Sequence, residues 1–270
     1  MAITKGQVEI TDLDAWERHA GPKHPDQWVD DRSAKELARA WLDAGAETLP
    51  DEVSTALAAH PAFGTIVAWD AEPERKLRFD QFRGEPRNTD LLVVARDQHG
   101  EYVIGVEGKA DEPFAETVAD TLSAALERTL QNPNSNGIAR VEQLARALFG
   151  GEPFPGCAKV GDLRYQLLTA SAGILCEAER RDLNRALLLV HEFITAKTDD
   201  KLRQRNAADL NAYLKRLSRG AVMSLREGEI GGPIFVPAIP LLTSSVALYV
   251  GKVVRDLRSS QAEPPPPATS

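Results

Sequence analysis

The segment "NTDLLVVARDQHGEYVIGVEGKADEPF", residues 88–114, decides how the chain is read. Its Val- and Ile-rich runs at 91–96 and 101–110 have the composition of β-strands, and the polar Asp-Gln-His-Gly between them is a turn. A hairpin centred on that turn makes the numbers of opposed residues add to a constant, so Arg96 faces Glu101, Val94 faces Val103 and Asp90 faces Glu107. Opposed residues hold their Cβ atoms roughly 4.5–5.5 Å apart. Two carboxylates then lie side by side at the open end of the hairpin, an arrangement that opposes folding unless a cation stands between them. The register depends on the turn, because a bulge there slips the pairing by one and parts the acids.

Alternation adds a third group. Glu107, Lys109 and Asp111 share one face of their strand, while Ile104, Val106 and Ala110 point to the other. A hard cation such as Mg²⁺ takes carboxylate oxygens and waters. Acids that hold a cation, beside an ammonium that orients water, are the parts a metal-dependent phosphodiesterase needs. Asp111 is placed outside this set.

Working outward, "SAKELARAWLDA" at 33–44 is an amphipathic helix with Ser33 as N-cap and Gly45 just past its end. A shorter helix spans about 50–60 and stops at Pro61, and "KLRFDQF" alternates as a strand, so the sheet is expected to begin near residue 76. After the hairpin, helical pattern runs from about 114 to 130, breaks at "NPNSNG" and returns at 138–149; "GGEPFPG" is a loop. Asp162 is expected to cap a helix over "LRYQLLTASAGILCEAER", whose Leu163, Leu167, Ala170 and Ile174 form one stripe. The continuous apolar run "RALLLVHEFI" reads as a central strand covered on both faces. A helix near 206–217 and β-like segments within 233–255 complete the chain. The fold class is α/β, a central mixed β-sheet flanked by helices.

The chain has 270 residues and a net charge of −8, enough length for one large domain, and its acidity argues against coating nucleic acid through bulk electrostatics. Any phosphate contact must be local. No apolar run reaches bilayer-spanning length, no secretory pattern opens the sequence, and the two cysteines, Cys157 and Cys176, lie too far apart for a metal knuckle. These features predict a cytoplasmic protein without a membrane partner. A single domain over 1–258 is expected, followed by a Pro-rich tail, 259–270, expected to be disordered.

Asp90, followed on the next strand by Glu107-Gly108-Lys109, resembles the D…(D/E)xK core of the PD-(D/E)xK nuclease superfamily. The order helix, three strands, helix, strand between Ser33 and Thr195 is also similar to that superfamily's restriction-endonuclease-like αβββαβ core, so the resemblance covers roughly 160 of 270 residues. The literal proline is displaced, because Thr89 precedes Asp90 and Pro86 stands four places upstream. The resemblance implies an endonuclease-like hydrolase that cleaves phosphodiesters, more often in DNA than RNA, with Mg²⁺ as cofactor and Mn²⁺ as a substitute. It assigns metal binding to Asp90, Glu107 and the carbonyl of Gly108, and water positioning to Lys109. It matches Glu36 on the preceding helix and Gln166 on the following one to the family's accessory glutamate and glutamine, and it accommodates a homodimer that pairs two active sites. Arg164 and Tyr165 flank Gln166 at a helix N-terminus, which suits contact with a substrate phosphate.

Each signal has a structural counterpart. Ser33-Ala34-Lys35-Glu36 is a capping box that accounts for Glu36 without chemistry. Glu74-Arg75-Lys76 repeats Glu-x-Lys in a polar segment with no evident strand, which shows how little that triplet means alone. His191-Glu192 lacks the second histidine of a zinc protease, since Thr195 stands there. His19, His24, His60 and His99 read as surface residues, and Gly231-Gly232-Pro233 reads as a turn. Ser244 and Ser245 lack the flanking glycines of a nucleophile elbow. The rival functions are a catalytically inactive nuclease-fold binding or scaffold protein and a metal-dependent hydrolase of a small phosphorylated substrate, the latter favoured by a closed pocket over an open groove.

Overall fold

The computed structural model describes residues 1–150, 153–237 and 246–258. The N-terminal segment forms a two-stranded ribbon, β1 (Thr4–Lys5) and β2 (Val8–Glu9), followed by helices α1 (Leu13–Ala20), α2 (Ser33–Asp43) and α3 (Asp51–Ala59). Three strands come next, β3 (Ala68–Leu77), β4 (Arg87–Asp97) and β5 (Gly100–Lys109). Helices α4 (Val118–Gln131), α5 (Gly137–Phe149) and α6 (Tyr165–Arg180) lead to strand β6 (Arg185–Ile194), helix α7 (Asp200–Leu217) and strands β7 (Glu229–Ile234) and β8 (Ala247–Asp256).

Six strands make one mixed sheet in the order β3-β4-β5-β6-β8-β7. β3, β4 and β5 form an antiparallel meander, β6 runs parallel to both β5 and β8, and β7 closes the far edge antiparallel to β8. Side-chain alternation sends Leu91, Val93, Ile104, Val106, Leu187 and Leu189 to one face, where Trp16, Leu37, Trp41, Val53 and Leu57 of α1 to α3 cover them. Leu92, Val103, Leu188 and Val190 go to the other, beneath Val141, Leu167, Ile174, Leu210 and Leu214 of α5, α6 and α7. This is the expected α/β architecture. Every residue of β6 is buried, as a strand with helices on both faces requires. Among the described residues no helix is long and apolar enough to cross a membrane.

Several local expectations are corrected. The sheet begins at Ala68 rather than near residue 76, and Glu74-Arg75-Lys76 lies inside β3. Pro73 masked that strand; β3 is marginal in the sheet, where a missing ladder donor is tolerated. Glu74 has a left-handed φ of 48°, and the alternation changes there: Trp69 and Ala71 face the α2 side, whereas Leu77 joins the α6 side. Ser33 is the first residue of α2 rather than its cap, the cap position falls to Arg32, and no capping box forms because the Glu36 carboxylate accepts from the Asp31 N–H and from Arg39 instead. Asp162 ends a short 3₁₀ turn, and α6 starts at Tyr165 after Arg164, without a side-chain cap. Leu163 nevertheless packs in one core with Leu167, Ala170 and Ile174. Helix α7 starts earlier than read, capped by the Asp199 side chain on the Lys201 N–H. Gly231, Gly232 and Pro233 belong to the edge strand β7 rather than to a turn. Gly151 and Glu152 of the loop, the serines Ser244 and Ser245, and the tail 259–270 lie outside the described residues.

Candidate active site

The hairpin register is the one the numbering predicts. Asp97 pairs with Gly100 across a two-residue turn, Arg96 with Glu101, Val94 with Val103, and the ladder ends at Leu91 opposite Val106. Gly100 takes a positive φ of 108°, which glycine adopts at little cost. One step past the ladder's end, Asp90 replaces a backbone partner with its side chain: the Gly108 N–H donates to its Oδ2 at 2.8 Å. Burial and then the negative charge of Glu107 push the Asp90 carboxyl up to about 8, against the opposing pull of the Lys109 ammonium. The two acids therefore do influence each other as neighbours at the open end.

Glu107 is fully buried, and its charge is met from the side of α6 and β4. Arg87 forms an ion pair with Oε1, and the Gln166 amide donates to Oε2 at 2.9 Å. Arg87 also donates to the Thr169 hydroxyl at 3.2 Å. A buried carboxylate persists only when paired and hydrogen-bonded, and the Arg87 and Gln166 contacts meet that condition.

Asp90 opens into a cavity of about 240 Å³ whose polar wall includes Glu74, Gly108, Lys109, Glu112 and Gln166. The facing wall carries Trp16 and Trp28 from the N-terminal helical segment. Burial raises both Glu74 and Glu112 above the ordinary carboxylate range; Asn88 donates to Glu74, and Lys109 works against the rise at Glu112. Lys109 is only 6% exposed, with its Nζ 5.3 Å from the Phe114 ring centre. Among the described residues no carboxylate lies within ion-pair distance of that Nζ. Such an ammonium is free to engage a ligand.

Asp90, Gly108, Lys109 and Gln166 thus converge on one cavity, with Glu107 directly behind them. Glu36 does not join them: it is buried against Arg39 and the Asp31 N–H and does not line the cavity. Arg164 donates to Asp209 at 2.8 Å and to the Ala115 carbonyl, contacts that tie α6 to α7. Tyr165 lies on the other side of Gln166, in a second cavity. Sequence reading missed Arg87 and Glu74. Arg87 shares the strand of Asp90 but has no motif signal, and Glu74 was passed over because its strand went unseen. Asp111 stays outside, 3.5 Å from Arg32. His191 is buried with Nε2 2.7 Å from Glu52, which Arg255 also grips through two contacts, and Glu192 pairs with Lys252 at 2.9 Å. Those contacts bind α3, β6 and β8 together. His60 is half-buried between Phe63 and Tyr249 rather than a surface residue.

Among the described residues no three His, Cys, Asp or Glu side chains are grouped closely enough to hold a metal ion by themselves. Mg²⁺ characteristically keeps several waters and takes only one or two carboxylates. Asp90, Glu107 and the main chain at Gly108 are a donor set of that size, and the unfavourable charge on Asp90 is the kind a cation relieves.

A family model spans residues 9–257, and its description is Domain of unknown function (DUF6946). The chain belongs to the DUF6946 family. The matched region holds the whole six-stranded sheet together with Trp16, Trp28 and every acid of the cavity, so in this DUF6946 chain fold and site fall within one unit of matched sequence. No curated protein and no solved structure matches the chain.

Proposed function

We propose that the protein is a divalent-metal-dependent phosphodiester hydrolase acting on nucleic acid, DNA before RNA, with a restriction-endonuclease-like core. The observation that supports this most is the meeting of Asp90, Gly108 and a lysine without an acid partner, Lys109, in one cavity backed by the buried Glu107. Asp90, Glu107 and the Gly108 carbonyl would hold Mg²⁺, with Mn²⁺ as substitute; a bound cation supplies charge stabilisation at the phosphoryl oxygens and an acidified water. Lys109 orients a water or a phosphoryl oxygen through its ammonium. Gln166 fixes the Glu107 carboxylate by its 2.9 Å hydrogen bond, and Arg87 holds the opposite oxygen. Trp16 and Trp28 give the acids an apolar facing wall.

The second reading is a nucleic-acid or protein binding module without chemistry. The Arg87 to Glu107 ion pair favours it, because it already supplies a cation to one of the two acids. Titration calorimetry with Mn²⁺ and Mg²⁺, paired with cleavage assays on single- and double-stranded DNA and on RNA, separates the two. Hydrolysis that requires metal and disappears in Glu107→Ala supports the hydrolase; a folded protein that binds neither metal, with or without substrate present, and cuts nothing overturns it.

A further inference from the structure

Lys109 and Gln166 form a partition with a cavity on each side. The acid-lined cavity described above is one. The other, of about 480 Å³, lies against α5 and α6 and is lined by Arg87, Arg140, Tyr165, Phe79 and Thr169 besides the partition itself. Its chemistry is opposite in sign. On a chain of net charge −8 it gathers three cationic side chains, Arg87, Lys109 and Arg140.

The acids close to these cations are already engaged. Glu107 lies beneath, paired with Arg87; Asp80 is buried and held by Arg140 at 2.6 Å; Glu85, on the rim, is bound by Lys76 and Lys23. Among the described residues the buried Nε of Arg87 has no acceptor, and the Nζ of the 6% exposed Lys109 makes no ion pair. Buried donors of native proteins are nearly always satisfied, so a ligand that brings acceptor oxygens is the economical partner. Tyr165 and Phe79 add ring surface to the same cavity, which suits a planar base next to a phosphate.

We propose that this second cavity is a phosphate-binding lobe that seats one nucleotide unit, its phosphate on Lys109 and Arg140 and its base against Tyr165 and Phe79. The assignment rests on the hydrolase reading for its role, since the lobe would hold the strand beside the acids, but its phosphate chemistry is testable without any metal.

The experiment is equilibrium binding in EDTA, with inorganic phosphate, a deoxynucleoside monophosphate, and one oligonucleotide carrying either a 5′-phosphate or a 5′-hydroxyl. Wild type is compared with Tyr165→Leu and with Arg140→Gln combined with Asp80→Asn, the second change preventing a stranded buried acid. The monophosphate should bind wild type, at least tenfold more weakly in the Arg140/Asp80 variant and at least threefold more weakly in Tyr165→Leu, while inorganic phosphate responds to Arg140 and not to Tyr165. If the double variant melts early, Arg140→Lys decides: it keeps Asp80 paired but loses the forked donors, and should weaken monophosphate binding at least threefold. Preference for the 5′-phosphorylated strand makes the seat one for strand ends; equal binding of both strands makes it one for internal phosphates; both uphold the lobe. No monophosphate binding, or binding unchanged by Arg140 substitution in folded protein, overturns it. Binding in EDTA without cleavage in any metal leaves the lobe standing and removes the hydrolase, whereas metal-dependent cleavage indifferent to Arg140 does the reverse.

Discussion

Strand β4 carries two aspartates seven positions apart, Asp97 buried and Asp90 half-buried, and they live in opposite electrostatic worlds. Asp97, at the turn, accepts from both terminal nitrogens of Arg185 at 2.8 and 3.0 Å, from the His99 N–H at 2.8 Å and from the Gly64 N–H at 3.0 Å. Burial works against its charge, but Arg185 and the two amides prevail and hold its carboxyl below the ordinary range. Asp90, at the open end, receives one amide and faces Glu107, so its carboxyl is pushed up to about 8. One acid is fully answered by the fold; the other has one amide donor and a carboxylate for a neighbour. On the proposed function, that contrast separates a structural aspartate from a functional one.

The largest contrast is chemical. Asp90→Ala should lower metal-dependent hydrolysis by ~10⁴-fold, equivalent to ~5 kcal/mol of barrier, with the melting temperature kept or raised; a steady-state cleavage assay beside a thermal melt checks both. Asp97→Asn should do the converse, costing ~3–5 kcal/mol of stability because Arg185 loses its buried counter-charge, with little change in kcat of the molecules that remain folded. Urea denaturation reads that loss, and an Asp97 variant as stable as wild type breaks the comparison.

Metal sharpens it next. At 100 times its dissociation constant, Mn²⁺ should stabilise wild type by about 2.7 kcal/mol through mass action, and the Asp90 variant far less; thermal shift with and without Mn²⁺ measures it.

The smallest effect is in pH. A carboxyl raised from 3.8 to about 8 keeps its proton in the folded protein while the unfolded chain loses it, so the native state binds more protons between those values and metal-free stability falls as pH rises through that window. Asp90→Asn should remove that fall, giving a gain of ~1–2 kcal/mol at pH 8 that vanishes by pH 4; full linkage at ~1.4 kcal/mol per unit would give more, but the cavity admits solvent that screens the charge. Asp97 acts in the reverse sense: its carboxyl is lowered on folding, so its contribution is present above 3.8 and is lost as pH falls below that. Denaturant titrations carried from about pH 2 to pH 9 should therefore show the Asp90 variant losing a downward slope between pH 4 and pH 8 and the Asp97 variant losing an upward slope below pH 4, and parallel curves would sink the contrast.

Sequence alone determined a good deal. The spacing around Asp-Gln-His-Gly set the hairpin register to the residue, because antiparallel pairing is a sum rule once the turn is located. The apolar run at 185–194 declared a strand covered on both faces, and the helical periodicities around 33–44 and 138–149 marked helices that the fold contains, since burial and period are local properties of the chain. From these came Asp90, Gly108, Lys109 and Gln166 as residues of one place. What only the tertiary structure decided was how each charge is answered. Arg87 reaching Glu107, Arg164 taken by Asp209, and Glu74 brought to the cavity by a strand that Pro73 disguised are all contacts outside local motif periodicity. Hydrophobic periodicity is written along the chain, whereas the partner of a charged side chain is set by where the fold brings distant segments together, and that is why the same strand could hold one satisfied aspartate and one that is not.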